Sequence, residues 1–154
     1  MFYFCYKFVQ KNLNLINLDM GELVYNKSIK DNLNDYTGKV FEKIFIEYFE
    51  ERFKRGLSPI FPDDYGNWWG NDSRLKKELE IEMIAYGDDG KYLFLEAKWK
   101  NELIDKSVID NLVEKYLNFS YKESFYLITS LSVFSKMEVG NNVELIKLED
   151  MYNI

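Results

Sequence analysis

The segment Glu96-Ala97-Lys98 sets a carboxylate and an ammonium two positions apart, so in an extended strand both fall on one face. The flanking pattern makes such a strand. Residues Tyr92 to Trp99 alternate, with Leu93, Leu95, Ala97 and Trp99 on one side and Tyr92, Phe94, Glu96 and Lys98 on the other. An earlier run, Leu79 to Tyr86, alternates too: Leu79, Ile81, Met83 and Ala85 oppose Glu80 and Glu82. Asp88-Asp89-Gly90 between the runs is a turn signal, so the two strands predict a hairpin. Pairing Glu82 with Glu96 leaves residues 87–91 as the loop, an acceptable length, and sets Glu80 opposite Lys98. Two facing carboxylates repel. A divalent cation relieves that repulsion, and Mg²⁺ favours oxygen ligands, to which the Ala97 carbonyl can add. Lys98 can then hold the attacking water or meet charge growing on a phosphate. By spacing alone, the commoner meaning of Glu96 and Lys98 is a solvent-facing charge pair, and Glu80 is the equal of Glu82.

Composition removes most other chemistry. The chain has 154 residues, 47% hydrophobic and 30% charged, as a soluble globular domain requires. It contains no histidine, which excludes a Ser-His-Asp triad, a Cys-His dyad and a His-ligated metal. Cys5 is the single cysteine, so neither an intrachain disulfide nor a zinc cluster is available, and a cytoplasmic location is the default. Cys5 itself reads as a small apolar residue. No apolar run is long enough to span a bilayer, and Met1 to Val9 lacks the basic leader and cleavage site of a signal peptide. The net charge of −6 argues against coating DNA, while leaving room for a local basic surface.

The elements that must position the hairpin follow from periodicity. A helix over Tyr36 to Arg55 carries Val40, Phe41, Ile44, Phe45, Tyr48, Phe49 and Phe53 as its apolar stripe, with Thr37 as cap and Gly56 as stop. Glu42 lies on the edge of that stripe, where a carboxylate can reach over the sheet toward a metal. Glu47, Glu50 and Glu51 read as its solvated face. A loop follows, containing Trp68 and Trp69, which read as packing residues. A second helix runs from Ser107 to Phe119, with Ser107 and Asp110 as a capping pair. Ser124 to Thr129 and Val143 to Leu148 are strands. The order predicts an α/β fold with a mixed sheet. Residues 1–34 read as an aromatic arm, a short helix plus extended segments, packing on a main domain over 35–154.

Val40-Phe41-Glu42, Trp68-Trp69, Glu80-Ile81-Glu82 and Glu96-Ala97-Lys98-Trp99, in this order, resemble the PD-(D/E)XK nuclease-like domain at the C-terminus of archaeal-type AAA ATPases. In that family a Gly-x-x-Phe-Glu helix, here Gly38 to Glu42, precedes a Trp-Trp pair, a Glu-Ile-Asp strand and a Glu-x-Lys strand. The aromatic N-terminal arm is similar as well. The resemblance covers nearly the whole chain. It implies a restriction-endonuclease-like core, a Mg²⁺ or Mn²⁺ site on Glu82 and Glu96, Lys98 assisting the attacking water, and Glu42 in support. It also selects Glu82 over Glu80. The family's Asp is Glu82 here, one methylene longer, and no G-x-x-x-x-G-K-[ST] phosphate loop is present.

Three functions are consistent with these residues. The first is metal-dependent hydrolysis of nucleic-acid phosphodiesters, DNA foremost, with Arg52, Lys54, Arg55, Arg74, Lys76, Lys77, Lys98 and Lys100 as candidate backbone contacts. The second is a catalytically degenerate nuclease fold serving an ATPase subunit or domain as a regulatory or interaction module. The third, compatible with either, is homo-oligomerisation through Phe2, Tyr3, Phe4, Tyr6 and Phe8, which cannot all be buried on one helix face.

Overall fold

The computed structural model describes residues 2–73, 76–87, 89–99, 102–119, 123–130, 134 and 136–153, without the side chains of Phe2 and Asn118. Arg74, Lys100 and the turn residue Asp88 lie outside the described residues, as does the Phe2 side chain. The chain forms two compact units, Met1–Val40 and Phe41–Ile154.

The first unit is helical where the sequence suggests partly extended segments. Short turns of α, π and 3₁₀ geometry cover Phe2–Phe4, Cys5–Val9, Gln10–Asn12, Leu13–Ile16, Gly21–Val24, Tyr25–Ile29 and Lys30–Asn32. The reason lies in the rings. Phe4 and Phe8 stand one helical turn apart, 5.1 Å between centroids, and both meet Tyr36, at 5.5 and 5.7 Å. Phe8 and Val24 are buried, while Tyr3 and Tyr6 stay exposed. Cys5 is exposed too, because Phe4 and Phe8 take the inward face.

Helix α1, Leu33–Lys54, begins in the first unit and lies mostly in the second. Thr37 does not cap it. Its hydroxyl donates back to the Leu33 carbonyl at 2.6 Å, inside a helix that starts earlier than its apolar stripe. Gly56, at φ +70°, ends it, with the Leu57 amide donating to the Arg52 carbonyl at 2.9 Å. Phe41, Phe45 and Phe49 face inward at four-residue spacing; Ile44 is exposed.

Five strands form one sheet in the order β1-β2-β3-β4-β5: Asp64–Asp72, Lys77–Tyr86, Lys91–Lys98, Glu123–Ser130 and Val143–Lys147. The segment expected as a loop around Trp68 and Trp69 is strand β1; its Gly, Asn and Asp residues mask aromatics that favour a sheet. β1, β2 and β3 are antiparallel, and β4 and β5 join in parallel. Helix α2, Lys106–Lys115, bridges β3 and β4. Its cap is Asp105, whose Oδ1 accepts from the Ser107 and Val108 amides at 2.9 and 3.2 Å, displacing the expected Ser107–Asp110 pair.

Helix α1 packs Phe41, Phe45 and Phe49 on one sheet face with Met83, Ala85, Leu93, Leu95 and Leu127. Helix α2 packs Ile109, Leu112 and Tyr116 on the other with Ile81, Phe94, Tyr126 and Ile128. This is the expected α/β arrangement, a mixed sheet flanked by helices. Among the described residues, no helix is long and apolar enough to cross a membrane.

Phe49 is fully enclosed in the α1 layer. Phe49→Ala removes a ring that nothing can replace, and urea unfolding should record a loss of about 3–5 kcal/mol.

Candidate active site

The hairpin register is the one the turn length predicts. Met83 pairs with Leu95 and Tyr86 with Tyr92, a frame that carries Glu82 to the level of Glu96. The alternation along β2, however, breaks. Gly66 pairs with Ile84 but Trp68 with Ile81, so Asn67 alone opposes Glu82 and Met83. This bulge turns Ile81 toward the α2 layer while Met83 and Ala85 remain with α1. The expected single face for Leu79, Ile81, Met83 and Ala85 therefore does not exist. The Asn67 side-chain amide donates to the Glu82 carbonyl and ties the bulge down.

At the bulge β2 leaves β3, and the Glu82 side chain replaces the lost strand contact. Its Oε2 accepts from the Ala97 amide at 2.5 Å. Burial, then the charge of Glu96, push Glu82 up to about 8, against the lowering pull of the Ala97 amide and Lys98. Glu42 adds a smaller push in the same direction, which places its charge within reach of Glu82. Glu80, its equal by periodicity, is exposed on the β1 side beside Trp69.

Glu96 sits on the central strand, only 3% exposed. Its Oε1 pairs with the Lys98 ammonium. Its Oε2 accepts from the Tyr116 hydroxyl and lies 3.4 Å from the Lys115 ammonium. Tyr116 stacks on Phe94 with centroids 4.7 Å apart, which fixes the ring under the carboxylate. Burial and the Glu96 charge raise the Tyr116 phenol, so it remains a donor. The structure thus brings Glu82, Glu96 and Lys98 together, with Glu42 at the edge, and adds Lys115 and Tyr116. The sequence showed Tyr116 as part of an apolar stripe. The usable signal was chemical: a buried tyrosine hydroxyl needs a partner.

A cleft of about 450 Å³ opens on the α2 side, bounded by Lys77, Glu96, Lys98, Asn111, Glu114 and Lys115. Three other candidate basic residues, Arg52, Lys54 and Arg55, are committed elsewhere. Arg52 makes a two-pronged pair with Glu144 at 2.7 and 3.0 Å, and Arg55 and Lys54 pair with Glu51. Lys76 is exposed at the start of β2, with φ +50°. The acidic face of α1 is not wholly solvated either, since Glu50 accepts from the Tyr65 hydroxyl at 2.9 Å. Trp68 packs edge-on against Phe119, as expected, but Trp69 is 83% exposed. Alternation along β1 explains this, since adjacent residues point to opposite sides.

Among the described residues, no three Asp, Glu or Cys side chains converge as a metal cage. Glu82 and Glu96 are two carboxylates that the hairpin frame brings close enough to act on each other's charge. Mg²⁺ commonly takes one or two protein carboxylates and completes its shell with water and phosphate oxygens.

Residues 5–123 match the family described as archaeal and bacterial proteins of unknown function, DUF234. The chain is 34% identical over 153 residues to the uncharacterized protein MJECL04 of Methanocaldococcus jannaschii. That match covers 96% of this chain and 32% of the relative, so the chain spans about a third of that relative's length. Among solved structures, the DNA modification-dependent restriction endonuclease AspBHI aligns at a TM-score of 0.36 and 14% identity, over 77% of this chain and 33% of that one.

The raised Glu82 gives a pH signature. Unfolded, the group titrates near its ordinary 4.5; folded, near 8. Between these values the folded chain keeps a proton that the unfolded chain has released, so stability falls as pH rises from about 4.5 to about 8 and levels off above. Glu82→Gln keeps an acceptor for the Ala97 amide and removes this fall. Urea unfolding should show the variant gaining on wild type by about 1 kcal/mol or more between pH 5 and pH 8. A difference independent of pH would contradict the assignment.

Proposed function

This chain belongs to the DUF234 family of archaeal and bacterial proteins of unknown function, and within it we propose a metal-dependent nuclease domain hydrolysing phosphodiesters, DNA being the expected substrate. The observation that carries the reading is the parting of β2 from β3 at the bulge. It leaves Glu82 bonded to the Ala97 amide and electrostatically coupled to Glu96, itself paired with Lys98. A carboxylate held near 8 by burial and a second carboxylate is a group whose ionisation a divalent cation favours.

In this reading Glu82 and Glu96 hold Mg²⁺ or Mn²⁺. When bound, such an ion lowers the pKa of water and offsets charge on a phosphate. The protein's own contribution is positional. The Ala97 amide orients Glu82, the Tyr116 hydroxyl orients Glu96, and Lys98 presents an ammonium beside them for the phosphate or the incoming water. Glu42 adds negative charge at the margin. A cytoplasmic protein acting with an ATPase domain or subunit is the corresponding biological setting. A second reading, a degenerate fold used as an interaction module, has its own support: Glu82 is one methylene longer than the aspartate of the resembling family, and both Glu96 oxygens already have partners.

The test uses supercoiled plasmid and oligonucleotide duplexes with Mg²⁺ or Mn²⁺. Wild type should nick or cut, and Lys98→Ala should slow it by about a hundredfold or more. Glu96→Ala should abolish Mn²⁺ binding in calorimetry. Cleavage indifferent to Lys98→Ala, or a wild type that ignores millimolar Mn²⁺, would transfer the assignment to the interaction module.

A further inference from the structure

Glu96 carries more positive charge than a single carboxylate needs. Two ammonium groups, Lys98 and Lys115, and one hydroxyl, Tyr116, converge on it from two elements. The three contacts are not alike. Lys98 takes Oε1 on the same strand. Lys115 comes across from α2 to Oε2, where the Tyr116 hydroxyl is already bonded, and stops at 3.4 Å. It is the longest and most easily surrendered of the three. Lys115 also sits 3.5 Å from the Tyr116 oxygen and borders the cleft with Lys77, Lys98 and Asn111.

We propose that Lys115 is a resident counter-cation of Glu96 that a divalent ion displaces, and that its ammonium then swings into the α2-side cleft to bind a phosphate of the nucleic-acid backbone. A carboxylate this buried is costly unless a cation pairs with it, and Lys115 supplies part of that pairing charge. A divalent ion on Glu82 and Glu96 puts like charge against the Lys115 ammonium. Its flexible four-carbon stem lets the head turn away without moving the helix. The cleft it turns toward already holds Lys77 and Lys98, together with Glu114 of the same helix. Metal binding and substrate binding are coupled through one side chain: the ion both completes the site and releases a phosphate contact. Lys115 is thus a positioning residue on the metal side and a binding residue on the substrate side. The inference rests on the proposed metal site, so its test reads the two separately.

Mn²⁺ titrations compare wild type, Lys115→Met and Glu96→Ala, with Lys106→Met, an exposed lysine of the same helix paired to Asp110, as control. Removing the competing ammonium should tighten Mn²⁺ binding by about two- to fivefold, the range of a partly exposed ion pair. The second readout is the salt dependence of binding to an oligonucleotide duplex with Ca²⁺ in place of Mn²⁺. Lys115→Met should make the slope of log affinity against log salt shallower by about one, and Lys115→Arg should restore it. Lys106→Met should move neither. Mn²⁺ binding that Lys115→Met leaves unchanged or weakens, or an unchanged slope, overturns the inference while a metal site lost in Glu96→Ala still stands. If wild type takes no Mn²⁺ but Lys115→Met does, the ammonium blocks the ion instead of yielding to it, and the inference is overturned. If neither takes it, the metal site and the inference fall together.

Discussion

Burying the Glu96 carboxylate in the central strand sets the terms for everything around it. An isolated ion at that depth costs several kcal/mol, so the fold must deliver cations and donors to it from outside the strand. Lys98 comes from the same strand, but Lys115 and Tyr116 come only if α2 crosses the sheet at one height and one rotation. The Asp105 cap starts the helix, and Ile109, Leu112 and Tyr116 seat it on Phe94 and Tyr126. The crossover from β3 to β4 is therefore both a packing solution and an electrostatic one. The Tyr116 ring belongs to the apolar layer while its hydroxyl belongs to the site.

The bulge in β2 is the second device. A regular strand would keep Glu82 on the face opposite Met83 and would leave the Ala97 amide to a strand carbonyl. With Asn67 holding the Glu82 carbonyl, the strand shifts its phase, Ile81 joins the α2 layer, and the Glu82 side chain comes round to the Ala97 amide. Two hydrophobic layers and one polar contact are thus settled by a single extra residue. Local ladder pairing is exchanged for a carboxylate held close to Glu96, and the raised Glu82 is the electrostatic cost of that closeness.

The two sides of the sheet differ in what they offer. The α1 side is a dense aromatic and aliphatic layer built on Phe41, Phe45 and Phe49, with Glu42 at its margin. The α2 side is polar at its open end, where lysines from β2, β3 and α2 border the cleft. A net charge of −6 hides this local arrangement, in which lysines stand beside Glu96 and Glu114 while Glu51 and Glu144, for example, are spent on Arg55 and Arg52. Distribution, not total charge, decides what a surface can meet.

The sequence by itself determined the hairpin and its register, because turn chemistry and two-residue alternation are local and the spacing of Asp88-Asp89-Gly90 admits few pairings. It determined helix α1 through its phenylalanine spacing and brought Glu96 and Lys98 forward by residue type and two-residue spacing, whereas Glu82 was preferred to Glu80 only through the family resemblance. It did not reveal β1, whose glycine and asparagine residues imitate a loop until β2 is there to pair with them. Nor did it place Trp69 or Ile44 correctly, since exposure depends on what packs against each position. The choice between Glu80 and Glu82 was equally beyond periodicity, because a bulge is visible only as a register shift between two strands. Lys115 and Tyr116 became part of the site through tertiary structure alone. They lie 19 and 20 residues from Glu96 in the chain, and only the crossover helix, seated by its apolar face, brings their polar ends to that carboxylate.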